Sequence, residues 1–146
     1  MYETTEELAS LQRLLDSSHD GASEHLRGII NDERTLRAAE LTGLLTGMHT
    51  LAAATVTRAG EPRVSALDGH FLHGRWTIST SASSPKGRHL HARPAISVAC
   101  IEGEDLGVFT TATSRSSPNP TRPSRKPSRT GRRTTDRLRC RGATRS

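Results

Sequence analysis

The chain has 146 residues and a formal net charge of +6, which leaves room for one domain with a modest core. No apolar run approaches a membrane span, the N-terminus MYETTEELASLQ is acidic where a signal peptide is basic, and Cys100 and Cys140 form no metal or redox spacing. A cytoplasmic protein without a disulfide framework is expected.

The net charge describes neither half. Residues 1–110 carry ten Lys or Arg against fourteen Asp or Glu, a net of −4, and residues 111–146 carry eleven against one, a net of +10. All seven histidines, both Phe, the Trp and the Tyr lie in the first part.

In chain order, Leu8, Leu11, Leu14 and Leu15 stand at helical spacing over Glu6 to Asp16, with Thr4 or Thr5 as a cap ahead of Glu7. Ser23 to Ile30 reads as a second short helix. Thr35 to Thr46 reads as a third, through Leu36, Ala39, Leu41, Leu44 and Leu45. From His49 the period becomes extended. Thr50 to Thr57 is a strand, Arg58 to Pro62 a turn, and Arg63 to Leu67 the return strand, which is a hairpin pattern. Asp68-Gly69 predicts another turn, Phe71-Leu72 an extension, His73-Gly74 a turn, and Arg75 to Thr80 the next strand. Lys86 to Ala92 predicts a brief helix stopped by Arg93-Pro94, since the residue before proline is driven out of helical space. Ala95 to Ile101 is a strand, with Ile96, Val98 and Cys100 alternating, and Leu106 to Thr110 begins another. Short antiparallel strands with tight turns imply an α+β, mainly β, small barrel. The organisation is a helical segment over 1–47, a partial barrel over 48–110 and a tail over 111–146.

The tail, TATSRSSPNPTRPSRKPSRTGRRTTDRLRCRGATRS, has almost no apolar side chain besides Ala112, Leu138, Cys140 and Ala143, so it is expected to be disordered. Two readings compete for it. An Arg-rich arm binds nucleic acid or another acidic partner through the phosphate backbone. Alternatively, the segment is an out-of-frame translation of a GC-rich gene. A serine written TCN, read one base earlier, gives a codon ending in TC, which specifies Phe, Leu, Ile or Val. Ser114, Ser116, Ser117, Ser124 and Ser128 can each hide an apolar residue in this way, and residues 111–117 can conceal His-Gly-His-Val-Glu-Val-Leu, an alternating strand that continues Val108-Phe109-Thr110. The second reading is preferred here, and it leaves the barrel incomplete.

Between the strand ending at Thr80 and the one opening at Ala95 lies Ser81-Ala82-Ser83-Ser84-Pro85-Lys86-Gly87-Arg88. Hydroxyls, backbone N–H groups and two cations near a helix start suit a phosphate, because each supplies a donor or positive charge. An ordinary polar strand-to-helix connection has the same composition.

The segments TLAAATVTRAGEPRVSALDGHFLHGRWTISTS, SPKGRHLHARPAISVAC and GEDLGVFT, in that order, resemble the pyridoxamine 5'-phosphate oxidase-like family of split-barrel flavin or deazaflavin proteins. The resemblance covers residues 49–110. It implies a barrel of about six strands, usually a homodimer with the flavin at the subunit interface, and an oxidoreductase acting on a small-molecule substrate. Arg63, Val64 and Ser65 match the family's strand along the flavin ring and phosphate, Ser79 and Thr80 its third-strand hydroxyls, and Lys86 its phosphate-binding lysine. Pro85 stands where the oxidases proper have an Arg, and Arg88 is the substitute. Asp68 stands where those oxidases carry a substrate lysine, which argues against pyridoxamine phosphate as substrate.

The cofactor implied is FMN, with a deazaflavin as the alternative. No metal is expected, because His70, His73, His89 and His91 have no carboxylate or thiol at fitting spacing. His19 and His25 fall on solvated helix faces. No catalytic residue is assignable. The reading of a different class is a non-enzymatic module that binds flavin or haem in the barrel and nucleic acid through the tail. Resequencing the gene across codon 110 is expected to reveal a one-base displacement, and an intact single frame in several independent isolates would establish the arm instead.

Overall fold

In a computed structural model, residues 2–31, 34–117, 133–139 and 143–145 are described. Strict alternation of buried and exposed side chains makes the sheet. β1 (Met48–Val56) buries Leu51, Ala53 and Thr55, and turns Thr50 and Ala52 outward. β2 (Pro62–Leu72) pairs with it antiparallel in continuous register, from Met48 opposite His70 to Val56 opposite Pro62. β3 (Arg75–Ser81) returns along β2, and β4 (Ala95–Glu102) lies on the other side of β1, followed by β5 (Leu106–Thr113). Backbone at β6 (Ser116–Ser117), β7 (Arg133–Arg139) and β8 (Ala143–Arg145) occupies the margins, and the order is β6-β7-β3-β2-β1-β4-β5-β8. That order is linear, so the sheet curls without closing: a split barrel, mainly β, with helices packed on it.

The helices follow from caps and apolar stripes. α1 (Thr5–Asp20) is opened by a capping box, in which Thr4 Oγ1 accepts from the Glu7 N–H and the Glu7 carboxylate accepts from the Thr4 N–H. α2 (Glu24–Ile29) is capped by Ser23. α3 (Ala38–Leu44) starts where the Ala38 N–H donates to Gln12 Oε1 at 2.8 Å, which ties it to α1. Leu11, Leu15, Leu36, Ala38, Leu41 and Leu45 from this helical segment share one core with Leu51, Leu67, Phe71, Trp76, Ile78, Ile96, Val98, Cys100 and Val108 from the strands. Trp76 is fully buried and meets Phe71 edge-to-face at 5.2 Å between ring centroids. No helix among the described residues is long and apolar enough to cross a membrane.

Two expectations are corrected. Asp68-Gly69 is not a turn, because β2 runs through it to Leu72. Gly69 is buried there, and a Cβ on it would stand 2.6 Å from Leu51 Cδ1, so the glycine permits close packing rather than a change of direction. His73-Gly74 does turn the chain, with φ of 55° and 68°, the left-handed pair that a two-residue hairpin demands. Secondly, His19 is not simply solvated: its ring Nε2–H donates to the Ile30 carbonyl at 3.0 Å. β5 itself runs from Leu106 to Thr113, and backbone at 116–117, 133–139 and 143–145 takes ladder positions. Pairing with the open edges of β3 and β5 satisfies backbone groups, a term composition does not count. Residues 118–132, with Ser124 and Ser128, and Cys140 lie outside the described residues.

The N-terminal helix is also tied to the β2–β3 turn. The His73 N–H donates to Glu3 Oε1 at 3.0 Å, and the His73 ring meets Glu7 Oε2 at 3.1 Å. The Glu7 carboxyl is held below its ordinary value of 4.5, first by the Thr4 backbone N–H and then by the His73 ring. A carboxyl depressed in the folded state contributes stability that is present above its unfolded pKa and lost as pH falls through the folded one. Glu7→Gln is therefore expected to lower stability at neutral pH and to make the acid limb below 4.5 less steep, as read by urea denaturation at a series of pH values.

Candidate functional site

The loop after β3 is pulled into a tight corner by its own hydroxyls. Ser84 caps α4 (Pro85–Ala92): its Oγ accepts from the Gly87 N–H at 3.0 Å and donates to the Ser81 carbonyl at 2.7 Å. Thr80 Oγ1 lies 3.0 Å from the same Ser84 Oγ, and Pro85 takes the first helical turn, where its missing N–H costs nothing. The corner closes only because residue 87 is glycine. A Cβ there would collide with the Ser81 carbonyl oxygen and stand 3.0 Å from Ala82 Cα.

From this corner Lys86 reaches across to β2, where its ammonium donates to the Ala66 carbonyl at 2.6 Å. A lysine ammonium has three N–H donors, and this bond uses one. Beside Ala66 is a groove of about 280 Å³ on the outer face of the sheet. Its walls are Thr50 and Ala52 of β1, Val64, Ser65 and Ala66 of β2, and Ala99 and Ile101 of β4. Of the residues expected from the sequence, Val64 and Ser65 line this groove, and Lys86 bonds the backbone of its wall residue Ala66.

The others are placed differently. Arg63 forms an ion pair with Glu61 at 2.8 Å in the β1–β2 turn. Thr80 faces inward and is buried, and its hydroxyl serves the Ser84 cap. Ser79 is exposed on β3 and does not line the groove. Arg88, in α4, donates back to the Ser83 carbonyl of the preceding loop. Sequence reasoning missed Ala52, Ala66 and Ala99, whose smallness makes the groove. Their signal was an excess of alanine at outward strand positions, and it reads as ordinary strand until neighbouring strands are aligned.

The histidines do not gather. His89 Nδ1 meets Thr55 Oγ1 at 3.0 Å, His73 belongs to the Glu7 tie, and His70 and His91 are exposed. Cys100, on the inner face, has its thiol pushed up to about 11, first by burial and then by the charge of Glu102. A larger cavity, about 830 Å³, lies between α1, α2 and α3. Asp16, Asp20 and Glu40 line it against Arg37, a balance that repels an anion, so the smaller groove, whose wall residue Ala66 is bonded by Lys86, is the better phosphate-compatible site.

No family model matches this sequence, and no curated protein does. Solved structures do. The chain is similar to an F420 reductase at 18% identity with a TM-score of 0.56, over 69% of this chain and 93% of that one. It is similar also to conserved hypothetical protein Rv2991 from Mycobacterium tuberculosis at 18% identity with a TM-score of 0.62, over 78% of this chain and 86% of that one. These neighbours share the split-barrel fold of the pyridoxamine 5'-phosphate oxidase-like proteins, and the fold is what the likeness establishes.

Gly87→Ala tests the corner that aims Lys86. It is expected to cost about 1–3 kcal/mol in chemical denaturation, as overpacking does. Gly28→Ala in α2, where an added Cβ meets nothing, is the control and should be neutral or slightly stabilising.

Proposed function

We propose that the protein binds a phosphate-bearing flavin, FMN or a deazaflavin, against the outer face of β1, β2 and β4, and acts as an oxidoreductase on a small-molecule substrate. One observation carries the reading: the Lys86 ammonium bonds the carbonyl of Ala66, a wall residue of an apolar groove lined by three alanines, and has donors to spare. The F420 reductase neighbour supports a redox cofactor of this chemical type. Bound there, the ring would carry the hydride, and the protein's task is to hold and orient it.

The residues divide that task by their chemistry. Lys86 offers two remaining N–H donors to a phosphate, and each charge-assisted bond contributes roughly 1.5–3 kcal/mol. Ser81 and Ser83, whose hydroxyls are 2.8 Å apart at the loop, are within the same corner and can donate to the anion. Val64, Ala52, Ala66 and Ala99 present a flat, low surface on which an aromatic ring can lie.

A second copy of the chain completes the site. At about 280 Å³ the groove falls just under the range of roughly 300–1,000 Å³ for small-molecule sites, so one chain forms one wall. Around it the outer face exposes Val64 at 74%, Ile101 at 62% and Phe109 at 50% of their area, apolar surface that pairing of two copies would cover. The proposed state is therefore a homodimer with the cofactor between subunits.

Lys86→Ala is expected to weaken cofactor affinity about ten-fold or more, measured by absorbance or fluorescence titration of FMN and of a deazaflavin in parallel. An unchanged affinity for both would remove the basis of the assignment. A steep salt dependence of DNA binding, lost on deleting residues 111–146, would instead support the binding-module reading.

A further inference from the structure

On the inner face of the same strands, away from the groove, three metal-binding side chains meet. The ladder between β1 and β4 runs from Ala52 opposite Ala99 to Ala54 opposite Ser97. Continued by three residues, that register sets His49 against Glu102, with Cys100 two residues back on the same face. The side chains join the strands there: His49 Nδ1 and Glu102 Oε1 are 2.6 Å apart, across 53 residues of sequence. One ring nitrogen of His49, the Cys100 sulfur and one Glu102 oxygen all lie within 4.8 Å of one another.

We propose that His49, Cys100 and Glu102 form a binding site for a divalent transition-metal ion of the zinc class, clipping the end of β1 to the end of β4.

The surroundings of the His49 ring hold it in place. The His49 side chain is 10% exposed, and its Nε2 has no hydrogen-bond partner among the described residues. Nδ1 is the ring nitrogen that faces Glu102, so an ion held between His49, Cys100 and Glu102 would take the place of the Nδ1–Glu102 hydrogen bond and leave Nε2 where it is. Trp76 backs the ring edge-to-face at 5.9 Å and limits its rotation.

The donor set selects the ion. A thiolate, an imidazole and a carboxylate suit Zn²⁺ or Co²⁺, whereas Mg²⁺ and Ca²⁺ take oxygen shells. Bonds of about 2.0–2.3 Å to a tetrahedral ion ask the three ligands to draw together by side-chain rotation alone. Cys100 is 1% exposed and Glu102 side chain 50%, so the site is dry on the core side and open to solvent at the carboxylate, which provides entry and a fourth position for water. On binding, the Cys100 thiol proton passes to solvent and the sulfur ligates as thiolate. The rest of the sheet remains as it is.

The test uses the full-length protein stripped with a chelator and titrated with Co²⁺. One equivalent per chain is expected to produce a thiolate-to-cobalt charge-transfer band and the intense visible bands of tetrahedral coordination, both abolished by Zn²⁺. Cys100→Ser should eliminate the charge-transfer band, and Cys140→Ser should leave it intact. Glu102→Gln changes a half-exposed residue and so keeps the core, and it should weaken Co²⁺ binding about ten-fold or more. The proposal is overturned if folded protein gives no such band, if Cys140→Ser rather than Cys100→Ser removes it, or if Glu102→Gln binds Co²⁺ as tightly as the parent chain. Should Cys100→Ser fail to fold, the Glu102→Gln affinity decides.

Discussion

The register of β1 between β2 and β4 is the constraint on which this protein depends. Side chains alternate along a strand, so a slip of one residue would exchange its two faces. In the observed register Leu51, Ala53 and Thr55 enter the core, Thr50 and Ala52 form the floor of the outer groove, and His49 comes to face Glu102. The same alignment therefore makes the core, the proposed cofactor surface and the proposed metal clip. Gly69 fixes its depth: opposite His49 in the ladder, it lets Leu51 lie against β2 where any side chain would hold it off.

Charge and hydroxyl content are used locally before they are available to a ligand. The Ser and Thr cluster between β3 and α4 is spent on caps and turns: Thr80 on Ser84, Ser84 on Gly87 and Ser81. Arg63 and Arg88 are engaged by the loops that precede their elements, through Glu61 and the Ser83 carbonyl. Of the cations expected near a phosphate, Lys86 alone bridges two elements, and the bridge ends on Ala66, a residue of the groove wall. Its value as an anion ligand comes from that position, since positive charge as such is abundant in the chain.

The open order of the sheet gives the margins their meaning. β3 and β5 would each present unpaired backbone if the chain stopped at Thr113, and the Thr- and Arg-rich stretches after it pair there as strands in spite of their polarity. Backbone hydrogen bonding asks little of side-chain identity. A segment whose composition forbids a core of its own can still be recruited by an edge that needs a partner.

Much of the architecture was legible in the residues. The Thr4–Glu7 capping box, the His73-Gly74 hairpin, the Ser84-Pro85 helix start and the alternation of Trp76, Ile78 and Thr80 are local patterns, set by backbone sterics and by which face meets water. The resemblance of residues 49–110 to split-barrel proteins added the order in which such patterns occur, and Lys86 with Val64 and Ser65 came from that. Tertiary structure decided what depends on alignment of distant strands. It made Asp68-Gly69 a packing contact instead of a turn, turned three outward alanines into a groove, committed Arg63 to Glu61, and gathered His49, Cys100 and Glu102 on one inner face. Local sequence specifies what each residue can do; cross-strand register, a sum of small long-range terms, specifies whom it meets.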